Sequence, residues 1–206
     1  MTSQQSEPLR SYGGEAGDAR VARRRTALME ATLDELAGPE PGSVTVRGIC
    51  ERARLTPRYF YESFAGTDEL VGETYDAVIA EIAERALTAF AAGDDSLDKV
   101  TGAVTALVDV IESDPRKGRL MFADTLRSPV IIDKRAAAAQ LFVRLTSESA
   151  TQALGLEPGP EVTAAAHFQV GGLGRILASW NEGLLDVDRD QLIGVCVRML
   201  LPEERA

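Results

Sequence analysis

Apolar residues recur at three- and four-residue steps along most of the chain, and no segment alternates with the period of two that marks a strand. The first run, 23–38 (RRRTALMEATLDELAG), sets Leu28, Ala31, Leu33 and Leu36 as its apolar residues. In 45–70 the pattern predicts a short helix, a tight turn, a second short helix, a break and a new helix. A long fourth helix over about 67–90 carries Val71, Tyr75, Val78 and Ile82 at helical spacing. A fifth over 97–112 carries Val100, Val104, Leu107 and Ile111. Ser113-Asp114-Pro115 opens a sixth by placing a capping side chain before a proline. A seventh over 130–153, an eighth over 160–183 and a ninth over 188–201 complete an all-α chain of about nine helices. Breaks at 38–43, 91–96, Ser128-Pro129 and 155–161 punctuate it. No internal repeat is present.

The segment 45–70, TVRGICERARLTPRYFYESFAGTDEL, has the layout of a helix-turn-helix DNA reader. Thr45 is placed to cap the first of its helices, whose inner face is Ile49 and Ala53. Thr56 and Pro57 form a start signal for the second, a hydroxyl N-cap followed by proline at the first helical position. That helix, 57–64, brings Arg58, Tyr59 and Tyr61 near its N-terminal end, where a recognition helix meets base edges and phosphates. Arg47 and Arg54 lie on the preceding helix and turn. Arg23, Arg24 and Arg25 crowd the start of the first helix, suited to phosphate or the minor groove.

The chain of 206 residues has a formal net charge of −10, at first sight unfavourable for DNA. The distribution reverses that impression. Residues 20–61 hold eight arginines against five acids, whereas 62–206 hold thirteen basic and twenty-four acidic residues. A basic module on an acidic body fits a DNA-binding protein whose body is kept off the duplex. Hydrophobic residues at 45% and charged residues at 26% suit a globular chain. Cys50 and Cys196 fall in separate helices, outside any close Cys/His cluster, so they read as reduced packing residues and no metal site is expected. No apolar run reaches the length of a membrane span and the N-terminus lacks a signal-peptide core, which makes a cytoplasmic protein the expectation. No nucleophile motif, phosphate loop or dinucleotide fingerprint occurs, and there is a single histidine, His167. No catalytic residue and no cofactor are assigned.

The eighth helix has two unlike faces. Val162, Ala166, Val170, Leu173, Leu177 and Trp180 form an apolar stripe; Ala164, His167, Gly171, Gly174 and Ala178 form a row of mostly small residues. Glycines inside a helix cost about 1 kcal/mol each relative to alanine, and close approach of another helix would offset that.

With Leu28, Ala31, Leu33 and Leu36, and then Thr45, Ile49, Ala53, Leu55, Thr56, Tyr61, Phe64 and Asp68-Glu69-Leu70, the chain resembles the TetR family of bacterial transcription repressors over about residues 20–70. It departs from that pattern at Arg54, where the turn usually has glycine, at Tyr59, where a small hydroxyl residue is common, and at Thr67, where a lysine is usual. The resemblance implies an effector cavity within the body, for which Tyr75, Leu107, Met121, Phe122, Phe142 and Leu145 are apolar candidates and Gln140, His167 and Gln169 polar ones. It also implies that the last two helices pair with their copies in a homodimer. Gly171, Gly174 and Ala178 of the small row and Leu192, Val195 and Met199 of the ninth helix are the interface candidates.

The expected organisation is a disordered tail over 1–19, a helix-turn-helix DNA-binding domain over 20–66, and an effector-binding and dimerisation bundle over 67–206. The expected function is ligand-responsive transcription regulation, as a repressor released from a pseudo-palindromic double-stranded operator by a small, mostly hydrophobic effector. A small all-α enzyme with an unrecognised site and an effector-independent DNA-binding protein are the other readings.

Overall fold

The computed structural model describes residues 14–38, 44–123 and 125–201. Among them lie nine helices and no strand: α1 (Gly14–Ala37), α2 (Val46–Ala53), α3 (Pro57–Ser63), α4 (Thr67–Ala92), α5 (Ser96–Ser113), α6 (Pro115–Phe122), α7 (Pro129–Leu154), α8 (Pro160–Asn181) and α9 (Arg189–Leu200). The all-α expectation holds. One boundary differs: α1 reaches back to Gly14, into the stretch expected to be tail, while 1–13 and most of the 38–43 break lie outside the described residues. The composition of 14–19, though polar, holds no proline, so nothing stops the helix of 23–38 from propagating backwards.

Local chemistry sets most of the ends. Asp95, Asp114, Ser128 and Asp188 each accept a backbone N–H at the start of a helix, and Asp188 forms a reciprocal capping box with Gln191. Pro57, Pro115, Pro129 and Pro160 occupy first-turn positions where their missing N–H is not needed.

Three apolar clusters fill the interior. The first joins Leu28, Ile49, Phe60, Phe64 and Leu70 in the N-terminal head. The second joins Leu33, Leu36 and Ala37 of α1 to Val71, Tyr75, Val78, Ile79 and Ile82 of α4, with Leu120 and Ile131. The third joins α5 to α8 and α9 through Val104, Val108, Ile111, Leu177, Leu192 and Cys196. Helices α1 and α4 thus each contribute to both the head cluster and the neighbouring body cluster. The expected boundary at 66/67 coincides with the start of α4, yet Leu70 packs with the head. Cys50 and Cys196 are both buried and free, and burial pushes both thiols up, away from the reactive thiolate. No helix among the described residues is long and apolar enough to cross a membrane.

Short helix α6 is pinned at both ends. Arg116 donates to Asp34 at 2.7 Å and Glu30 at 3.1 Å on α1, and to Asp114 at its own cap. Arg119 donates to the carbonyl of Ala37, the last residue of α1, at 2.6 Å. At the other end, Arg135 of α7 reaches the carbonyls of Leu120 (2.8 Å) and Ala123 (2.9 Å). Arg119 and Arg135 each meet carbonyls at a helix C-terminus, where orphan acceptors and the dipole favour a cation. Midway, Gly118 leaves no room for a side chain: a β-carbon there would stand 2.5 Å from Asn181 Oδ1 and 2.9 Å from Ile111 Cγ2.

Hydrogen bonding from Arg116 holds the Asp114 carboxyl below its ordinary range. Its folded value therefore lies beneath the unfolded value of about 3.9, so its stabilisation is complete above that pH and is lost as pH falls through the folded value. Arg116→Met should lower stability at pH 7 by about 1–3 kcal/mol, as expected for losing hydrogen bonds to charged groups. It should also lose less than the parent chain on further acidification below pH about 4. Urea midpoints between pH 3 and 7 measure both; parallel curves for the two proteins would show that this node does not set the acid limb.

Candidate nucleic-acid interface and body cavity

The head presents α3 through a turn with an uncommon backbone. Thr45 Oγ1 accepts the Gly48 N–H at 3.1 Å and starts α2. Arg54 ends α2 at φ 54°, ψ 40°, in the left-handed region, with its N–H on the carbonyls of Cys50 and Glu51. It is the single non-glycine residue with positive φ among those described. Thr56 then stands at the N-cap position of α3 with extended backbone, but its hydroxyl makes no cap bond; Pro57 at the first helical position has no N–H to satisfy, and Thr56 is exposed.

The arginines predicted to meet DNA divide into two groups. Arg24 and Arg25 turn inward. The Arg24 guanidinium lies 4.3 Å over the Tyr59 ring and pairs with Glu62 at 3.6 Å. Arg25 sits 4.2 Å over Phe64, and its two terminal nitrogens donate to the Ser63 carbonyl and to Glu73. These two clamp α1 against α3 and α4 instead of standing free on the outer face. Arg23 is exposed, as are Arg47, Arg54 and Arg58. Arg47 pairs with Glu51 and Arg58 with Glu62, at 2.8 and 2.9 Å, one helical turn along. Tyr61 is 63% exposed, with its ring edge against buried Phe60. Tyr59 is half-buried beneath Arg24. The outward set is thus Arg23, Thr45, Arg47, Arg54, Thr56, Pro57, Arg58 and Tyr61. Glu62, which no sequence signal singled out, sits between Arg24 and Arg58 and lowers the positive charge of this face.

A second feature is a half-open cavity of about 210 Å³ in the body, lined by α4, α5, α7, α8 and the end of α9. Of the predicted lining residues it includes Leu107, Phe142, Leu145 and Gln169. Tyr75 instead lies in the body core, where burial pushes its hydroxyl up to about 12. Met121 and Phe122 pack against the apolar clusters, and Gln140 and His167 are exposed. Two residues along a helix lie about 200° apart, so Gln140 and His167 face away although Phe142 and Gln169 line the cavity. The sequence reading missed Ala86, Phe90, Val104, Val170, Leu173 and Leu200, among others. A signal existed: Ala83, Ala86, Leu87 and Phe90 extend the apolar face of α4 past its packed half.

The predicted interface residues also divide. Leu192 and Ala178 are buried within the subunit itself, and a β-carbon at Gly174 would point at Phe122, 4.0 Å away. Gly171 faces open space and Val195 is half-buried, while Met199 (67% exposed) and Phe168 (80% exposed) stand out as large apolar groups on α9 and α8. The glycines of α8 thus serve different surroundings.

No family model matches the chain. A stretch of 99 residues, 48% of this chain, is 28% identical to an uncharacterized HTH-type transcriptional regulator, YxbF, of Bacillus subtilis (strain 168). The match spans about a quarter (26%) of that relative's length. Solved structures agree over nearly the whole chain. The fatty acid degradation regulator FadR from Bacillus halodurans superposes with a TM-score of 0.73 at 13% identity, covering 88% of this chain and 96% of its own. A TetR family transcription regulator from Marinobacter aquaeolei VT8 gives 0.62 at 19%, covering 89% and 96%. AibR, solved with isovaleryl coenzyme A and operator DNA, gives 0.60 at 19%, covering 87% and 98%. The chain has the fold of TetR family regulators.

Arg54→Gly tests the turn and the face together. A non-glycine residue in the left-handed region costs about 1–2 kcal/mol, against which glycine loses about 0.4–1 kcal/mol through the unfolded chain. Stability should therefore hold or rise by up to about 1.6 kcal/mol, while the slope of log affinity for DNA against log salt should fall by about one unit if Arg54 meets a phosphate. Denaturant titration and DNA binding at several salt concentrations read the two effects separately.

Proposed function

We propose, on the premise of the TetR-type fold, that this protein is a homodimeric, ligand-responsive DNA-binding transcription regulator acting in the cytoplasm as a repressor, and not an enzyme. The observation that carries the reading is the pairing of an outward α3, bearing Arg58 and exposed Tyr61 beside Arg54 and Arg47, with a separate apolar cavity in the body. Two copies would set their α3 helices about one DNA turn apart on a pseudo-palindromic site. A ligand that prefers one body conformation over another would change the separation of the two heads, and the shift can be no larger than that preference. The structural neighbour AibR, solved with operator DNA and an acyl coenzyme A, supports a two-site reading of this kind.

Selection from a random DNA pool should enrich a two-fold symmetric motif. Arg58→Ala should relax the preference at one position per half-site and cost about 1–3 kcal/mol where the guanidinium makes a bidentate guanine contact. Part of that gain is offset in the parent protein by the ion pair with Glu62 that must open. No enriched sequence at moderate salt would sink the regulator reading; an unchanged motif in the variant would remove Arg58 from the base-reading set.

The partner-facing surface proposed for the dimer is the outer side of α8 and α9, around Phe168, Gly171 and Met199. Phe168→Glu should shift sedimentation towards monomer at concentrations where the parent chain is dimeric. It should weaken operator binding although no DNA-facing residue changes. Because Phe168 is exposed in the single subunit, the thermal midpoint of the monomer itself should move little. An unchanged sedimentation profile would place the interface elsewhere.

A further inference from the structure

We propose that the body cavity takes an uncharged ligand, a compact hydrophobic molecule bearing one or two hydrogen-bonding oxygens, such as a medium-length alcohol, ketone or ester, and excludes carboxylates and acyl coenzyme A. This deepens the regulator reading and depends on it only for what binding would do to the DNA.

The lining carries the argument. Among the described residues no Asp, Glu, Lys, Arg or His borders the cavity. An anion seated against this lining would give up water with no counter-charge beside it, a cost that favours a neutral ligand. What the cavity does offer is polarity at one end. Leu107, Phe142 and Leu173 form an apolar part; Ser96 opens α5, while Thr146 and Ser149 lie on the C-terminal part of α7. Gln169 donates its Nε2 to the Leu200 carbonyl at 2.9 Å, which leaves its amide oxygen as an acceptor. Hydroxyls and an amide oxygen suit a neutral group that both donates and accepts.

Charge near Ser96 points the same way. The turn into α5 carries Asp94, Asp95 and Asp98 against Lys99 alone. The helix end there is also already occupied, because the Asp95 side chain accepts the Asp98 N–H at 2.8 Å. A phosphate brought near Ser96 would meet these acids rather than a cation or free N–H groups. Volume sets a further limit: about 210 Å³ lies below the roughly 300–1,000 Å³ of ordinary ligand pockets, which suits a compact ligand.

The test is calorimetric titration of the full chain, without DNA, at pH 7, using octan-1-ol, octanoate and octanoyl coenzyme A as matched probes. Octan-1-ol should bind at least about tenfold more tightly than either anion. Ala103→Phe, which fills the cavity from α5, should abolish octanol binding. Ser149→Lys, placing a cation at the polar end, should raise octanoate affinity about tenfold or more while leaving the fold intact. Octanoate or octanoyl coenzyme A binding the parent protein as well as octanol does, or no octanol binding at all, would overturn the proposal. So would octanol binding unchanged in Ala103→Phe. DNA is absent from the titration, so the two readings fail separately. A protein that prefers octanol but selects no DNA motif loses the regulator reading and keeps this one; an operator-binding protein that prefers the thioester does the reverse.

Discussion

Helix α1 lies in two cores at once. Its Leu28 and Ala31 pack with Ile49, Phe60 and Leu70 in the head, and farther along Leu33, Leu36 and Ala37 pack with α4 and α6 in the body. Helix α4 does the same through Leu70 on one side and Val71, Tyr75 and Val78 on the other. Each leucine and valine among them is stabilised by about 1.5–3 kcal/mol on leaving water, so a tilt of either helix gives up contacts at both ends. Head and body are therefore two units by pattern but mechanically continuous, and a rearrangement of the body has a route to the position of α3.

Arginine does most of the joining. Arg116 and Arg119 fasten α6 to the last turns of α1, Arg135 holds the other end of α6, and Arg25 ties α1 to the carbonyl of Ser63 and to Glu73 on α4. A planar guanidinium serves this purpose because one side chain can meet a carboxylate, a carbonyl and a ring face together, as Arg25 does. The same residue type on the outer face of the head is held only by single-turn pairs to Glu51 and Glu62. Exposed pairs of this kind are weak and screened by salt, so Arg47 and Arg58 can exchange an acid for another anion at little cost. One residue type thus serves as a half-buried fastener in one place and as an exchangeable surface cation in another.

The cavity arises where this packing stops. The last turns of α4 continue an apolar face through Ala86, Leu87 and Phe90 after the contacts with α1 and α6 have ended, and α7 and α8 cover it incompletely. Its walls belong to the helices that carry the second and third clusters, with Leu107 touching both. A molecule that fills the space would press on the same side chains that position α4 and α8.

Most of the fold was legible in the sequence because its signals are local. Helical periodicity, the capping residues Asp95, Asp114, Ser128 and Asp188 and the first-turn prolines act within a few residues, and they marked the helices to within a turn or so beyond the N-terminal end of α1. The positive φ at Arg54 falls where the resembled family usually has glycine, so the departure in sequence marks the strained position. Side-chain destinations were not local. Arg23, Arg24 and Arg25 are consecutive and chemically identical, yet the helix turns each by about 100°, and only the positions of Tyr59, Phe64 and Glu73 decide which are clamped and which remain outside. Gln140 and His167 fell outside the cavity for the same rotational reason, and Leu192 and Ala178 are buried because α5 and α6 reach them before any partner could. Periodicity determines which residues share a face; what that face meets is decided by the packing of helices distant in sequence.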